Sequence, residues 1–156
     1  MKHLFVLALL LSLSSPVLAQ QPPGHQNFRI DKVQRQQRSQ LSSKKSFRLS
    51  YTPQPDPIPL NQHFRLRLLL QDSGNKVLDG ARLSVDATMP EHNHGMNVKA
   101  RVKPLGQGRY EVQGLLFHMA GYWEIAVTVE QGGRREQAIF GVTVEMKPTN
   151  HGPHHH

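Results

Sequence analysis

From Phe47 to Val144, apolar residues recur at every second position in short runs broken by turn residues. Phe64, Leu66, Leu68 and Leu70 alternate with Arg65 and Arg67; Trp123, Ile125, Val127 and Val129 alternate with Glu124, Ala126 and Thr128. Successive side chains of a strand point to opposite faces, so such runs bury one face and wet the other. The remaining inward sets are Phe47/Leu49/Tyr51, Leu83/Val85/Ala87, Val98/Ala100/Val102, Tyr110/Val112 running towards Phe117, and Phe140/Val142/Val144. Between them stand the prolines of 53–59, Asp72-Ser-Gly-Asn75, Pro90, the Pro104–Gly108 turn and Gln131-Gly-Gly133. No stretch of this region longer than a turn or two carries a helical period. About seven strands, with turn signals every 8–12 residues or so, predict an all-β fold: an immunoglobulin-like antiparallel β-sandwich.

Such a sandwich has to stand on its apolar core, because the chain has no cysteine. Disulfides, thiolate nucleophiles, zinc ribbons and iron–sulfur ligation are excluded with it. The first nineteen residues read as a secretory signal peptide: Lys2 and His3 are the basic start, Leu4–Leu13 the apolar run, and Val17-Leu18-Ala19 the cleavage site. That run is too short to cross a bilayer, and nothing later approaches the ~18 apolar residues a span needs. The expected protein is periplasmic or secreted after cleavage near Ala19, with no stable membrane span. The lack of disulfides leans towards a periplasm.

Residues 20–46 are polar and basic without a sustained period and read as a disordered linker, ahead of a folded domain at 47–146. Residues 147–156 read as a His-rich disordered tail whose His151, His154, His155 and His156 stand apart from the main site. Lys and Arg number 19 against 11 Asp and Glu. The early cations are diluted by Gln and Ser, with almost no aromatic interleaving, so a solvated segment is expected and nucleic acid is not a partner.

Methionine and histidine cluster twice: Met89-Pro90-Glu91-His92-Asn93-His94-Gly95-Met96 and His118-Met119. Thioether sulfur is a soft ligand and imidazole a borderline one, so a mixed Met/His set favours Cu(I) or Cu(II) over hard cations. Zinc would prefer His with carboxylate or thiolate. His92 and His94 are two apart, so in an extended segment their rings point the same way. Pairing 97–103 with 109–117 as a hairpin sets Lys103 opposite Arg109 and His94 opposite His118, which brings both clusters to one pole of the sandwich. Each element also has a plainer role: Met89 and Met119 as core plugs, His118 as a loop histidine, Glu91 as a solvated charge and Trp123 as core between the sheets.

The stretch from Pro57-Ile-Pro-Leu60 through ARLSVDATMPEHNHGM, GQGRYEVQGLLFHMAGYWEIAVTV and FGVTV resembles the YtkA-like family, which is related to FixH-like proteins. Its marks are Met89-Pro90 with His92, His94, Gly95 and Met96, then Gly108, Tyr110, Phe117, Met119, Gly121 and Trp123. The resemblance covers about residues 47–145 and implies a small exported or membrane-tethered β-sandwich. It also implies a role in binding copper and in assembling or supplying copper enzymes. FixH-like members usually carry a membrane helix, which this chain replaces with a leader.

Two functions follow. The first is an exported copper-handling protein whose metal ligands come from Met89, His92, His94, Met96, His118 and Met119, with a copper enzyme or envelope complex as partner. The second is a non-metal interaction module that docks on a cell-envelope transport or assembly complex through the same loops. Enzymatic activity is not expected: no nucleophile motif and no pair of carboxylates occupies the candidate site.

Overall fold

The computed structural model describes residues 38–146. The expected signal peptide at 1–19, the expected linker up to residue 37 and the expected tail at 147–156 lie outside the described residues. Among those described, no helix is long and apolar enough to cross a membrane.

The fold is an all-β sandwich of two antiparallel sheets. The strands are β1 (Ser39–Leu41), β2 (Phe47–Gln54), β3 (His63–Asp72), β4 (Arg82–Met89), β5 (His94–Gly95), β6 (Arg101–Gly106), β7 (Arg109–Leu116), β8 (Gly121–Gln131) and β9 (Arg134–Val144). The first sheet has the order β1-β2-β3-β7-β6 and the second β5-β4-β8-β9. The alternation that predicted the strands also sets their faces. Leu66, Leu68 and Leu70 of β3 are buried between exposed Arg65 and Arg67, and Trp123, Ile125, Val127 and Val129 of β8 are buried in the same way. Trp123 is fully buried and stacks on Phe117 at 4.3 Å between centroids, with Phe64 edge-on to Phe117 at 4.9 Å. A tryptophan of this size at the sheet interface contributes several kcal/mol by area burial alone, at about 25 cal/mol per Å².

Three boundaries differ from the sequence reading, each for a local physical reason. Residues 39–46, expected in the linker, already belong to the sandwich: β1 pairs with β2, and Ser42 is buried. Three residues are too few to show a period, but the buried Ser42 hydroxyl donates to the equally buried Glu136 carboxylate at 2.6 Å. The same carboxylate accepts from the backbone N–H groups of Lys44 and Ser46. One acid on β9 thereby fixes the turn between β1 and β2.

The strand expected at 97–103 begins only at Arg101, and its register with β7 is two residues from the predicted one. Lys103 faces Glu111 and not Arg109. A cation opposite a carboxylate is the favourable cross-strand pair, while Lys opposite Arg is the unfavourable one. The hairpin closes at Gly106–Gly108, where a Cβ on Gly108 (φ +66°) would lie 2.7 Å from the Leu70 carbonyl oxygen. Finally, His94 belongs to neither strand of that hairpin. It sits in β5 of the opposite sheet, paired with Met89.

Candidate metal centre

The segment around the histidines is shaped by the end of β4. Pro90 has no N–H to give to the ladder, and it opens a single 3₁₀ turn over Pro90–His92. Asn93 adopts the left-handed conformation (φ 51°), a region its short polar side chain tolerates, and the chain doubles back. His94 and Gly95 return beside Met89 and Thr88, and the Met96 N–H donates to the Ala87 carbonyl at 3.1 Å. The second cluster lies on the connection between β7 and β8. There the Trp123 indole Nε1–H donates to the Met119 carbonyl at 3.0 Å, so the core tryptophan holds the loop that carries His118.

These two loops bring three imidazoles into a row. The His92 and His94 centroids are 6.0 Å apart at 28° between planes, and those of His94 and His118 are 5.2 Å apart at 26°. Trp123 forms the wall beneath, edge-on to His94 at 6.0 Å and to His118 at 5.6 Å. His92 is exposed, and His94 and His118 are half-buried. The His94 Nε2 atom is buried and has no hydrogen-bond partner among the described residues. A buried polar atom left this way costs about 1–3 kcal/mol, so its place calls for a group that it can bind.

The six predicted ligands divide. His92, His94 and His118 meet, although by a β5 return and not by the predicted hairpin register. Met96 is half-buried against the core beside them in sequence, and Met119 is exposed at 37%. Met89 is 1% exposed and belongs to the core. Its Cε methyl lies 2.9 Å from the point where a Cβ on Gly121 would stand, so Gly121 (φ +129°) makes room for it. Trp123, read from sequence as core, is core and also the wall of the histidine row. Glu91 is exposed and Glu124 is engaged by the Tyr122 hydroxyl at 3.3 Å.

Chemically, the row offers two adjacent imidazoles at a separation suited to one ion. Metal–nitrogen bonds of about 2.0 Å put two imidazole centroids on a tetrahedral ion about 5 Å apart. Among the described residues, no three His, Cys, Asp or Glu side chains are gathered as a metal ion would require. Imidazole and carboxylate side chains alone therefore do not gather into a site among the described residues, and the two loops also carry the thioethers of Met96 and Met119. A donor set of imidazole plus thioether fits copper and does not fit a hard cation.

A family model described as YtkA-like matches residues 39–128. No curated protein matches the chain. Among solved structures, the chain is similar to a copper-bound variant of FetP from uropathogenic Escherichia coli, at 8% identity and a TM-score of 0.46. That likeness covers 74% of this chain and 96% of the other. At such identity and score it says nothing of the site.

Proposed function

The chain belongs to the YtkA-like family, and from that premise we propose that it is an exported, non-enzymatic copper-binding protein whose site is the histidine row at one end of the sandwich. His94 is the central ligand with His118 beside it, Met96 and Met119 supply thioethers, and His92, its ring centroid 6.0 Å from that of His94 at the rim, is an exchange position. Met89 supports the loop from the core. The observation that carries this reading is the buried, partnerless His94 Nε2 between two neighbouring imidazoles. An exposed His92 and an exposed Met119 suit a site that takes up and releases its ion, since ligands at the rim exchange without opening the core. Recipients are copper enzymes or envelope complexes that accept the ion from this end.

The test is titration of the protein, truncated before His151, with Cu(I) against a competing chelator, beside His94→Ala and His118→Ala. Tight stoichiometric binding that both substitutions abolish supports the site. Protons compete for imidazole nitrogen, so affinity falls as the pH is lowered. Binding equal in the parent and both variants would sink the metal reading and leave the end of the sandwich as a protein-docking surface.

A further inference from the structure

The two outer faces of the sandwich carry unlike charge. On the first sheet, cross-strand pairing places Arg65, Arg67, Arg101, Lys103 and Arg109 on one outer face around a single acid, Glu111. The outer face of the second sheet mixes Arg82 and Arg135 with Asp86, Glu124 and Glu130, and Glu130 lies within 3.8 Å of Arg82 and 3.1 Å of Arg135. One face is close to balanced, and the other holds a surplus of cations.

Glu111 does not neutralise that surplus; it organises it. Its side chain is 9% exposed, it accepts from Gln113 Nε2, and it holds Arg67 at 3.1 Å and Arg65 at 3.7 Å. The Gln113 hydrogen bond, with Arg67, Arg65 and Lys103 around it, keeps this carboxyl below its ordinary range, so it stays charged. Both arginine side chains remain about half exposed, each approaching Glu111 through one terminal guanidinium nitrogen. Arg109 has no ion-pair partner among the described residues.

Beside these cations lies a groove of about 880 Å³ whose lining includes Arg38, Thr52, Arg67, Leu69, Leu105 and Arg109. Arg38 is taken up by a two-pronged pair with Asp56 at 2.6 and 2.8 Å, which leaves Arg109 as the groove's unpaired cation among the described residues and Arg67, held to Glu111 through one terminal nitrogen and half exposed, as the second. Leu105 is 41% exposed and adds an apolar side chain to the lining of the groove. We propose that this groove binds an acidic peptide segment of a partner protein, with carboxylates on Arg67 and Arg109 and an apolar side chain on Leu69 and Leu105. The surplus charge selects an acidic occupant, and guanidinium groups suit carboxylates by matching two donors to two oxygens. The hollow selects a chain that can enter it, whereas a bilayer presents a plane that would touch the rim and leave Leu69 uncovered. The surface is distinct from the histidine row, and its test does not depend on any metal.

The experiment uses a nonapeptide of Asp and Glu with one central Leu, followed by amide chemical-shift changes on the labelled protein. Expected are shifts confined to Arg38, β1, β2, β3, β6 and β7, an affinity that weakens steeply with salt, and a loss of at least tenfold in Arg109→Glu. A peptide with Gly for the central Leu should bind more weakly, and Arg82→Glu on the opposite face, the same change of charge at a screened distance, should bind within about twofold of the parent. Melting curves establish that the variants remain folded. Equal binding by Arg109→Glu, shifts that fall outside the groove, or binding to phosphatidylglycerol vesicles without binding to the peptide would each overturn the proposal.

Discussion

The two ends of the sandwich each bury polar side-chain atoms, and they treat them in opposite ways. Glu136 pairs with Val129 across β8 and β9, whereas His94 sits beside Met89, level with Trp123. Six residues of β8 separate those levels, about 20 Å at the usual rise of a strand. At the first end, the carboxylate of Glu136 meets the Ser42 hydroxyl and the N–H groups of Lys44 and Ser46, and Ser42 in turn accepts from Phe47 N–H. At the second end, the Nε2 of His94 has no partner among the described residues. A buried polar group with all its hydrogen bonds tells of structure, because its partners are there to hold the chain. A buried donor atom without them costs stability, and a fold retains that cost where the atom has another use.

The contrast breaks most sharply on metal. His94→Ala should lower Cu(I) affinity by at least about 100-fold, since loss of even an outer-shell partner costs about 10–100-fold. The metal-free variant should melt at or above the parent temperature, because the uncompensated nitrogen has gone. A large loss of metal-free stability would show that His94 is a structural group like Glu136, and the comparison would fail. Glu136→Ala should do the reverse. Removing a buried acceptor of several hydrogen bonds costs about 2 kcal/mol, read by denaturant unfolding, and leaves Cu(I) affinity unchanged.

Gly121→Ala sharpens the second end from below. A methyl there would press on the Met89 Cε at 2.9 Å, in a backbone conformation that disfavours a side chain. Strain of this kind costs about 1–3 kcal/mol. Because Gly121 opens β8 directly after the His118–Ala120 segment, the strain should also weaken copper binding by several-fold. Combining it with Met89→Ala should recover part of the affinity, since the clashing methyl is removed. No recovery would mean that Met89 is itself a ligand and not packing.

How much of this was legible in the sequence follows from the range of each signal. The alternation at Leu66/Leu68/Leu70 and Trp123/Ile125/Val127 is local, and it placed the strands and their faces. The clustering of His92, His94 and His118 was legible as composition plus position, and the rings do meet. The path by which they meet was not, because Pro90 and Asn93 return the chain beside its own strand, and the pairing of His94 with Met89 is a tertiary choice. A charge argument was available for the hairpin: Lys103 opposite Glu111 is favoured over Lys103 opposite Arg109, and it selects the observed register. The buried Ser42–Glu136 pair spans 94 residues, and nothing near either residue announces it. The basic face was partly visible in the outward Arg65 and Arg67, but Arg109 and Lys103 joined it only once the register of β6 and β7 was known.

The smallest effect concerns acid. Burial alone would raise the Glu136 carboxyl, but the Ser42 and Ser46 side chains and the N–H groups of Ser46 and Lys44 outweigh it and hold it below its ordinary value. A carboxyl whose value is lower in the folded state than in the unfolded one stabilises the fold fully above the unfolded value, about 4.3 for Glu. That contribution is lost as the pH falls through the lower, folded value. Stability should therefore hold from neutral pH to about 5 and decline below it. Glu111 and Asp56 are lowered in the same direction by Gln113 and Arg38, so they add to the same limb. Glu136→Gln should then flatten the acid decline only in part, whereas the corresponding substitution of all three acids should flatten most of it. Unfolding free energies measured from pH 3 to 7 decide this. A Glu136→Gln variant with an unchanged acid limb would mean that the hydrogen bonds at that end hold the protonated carboxyl as well as the charged one, and the closed end would owe nothing to its charge.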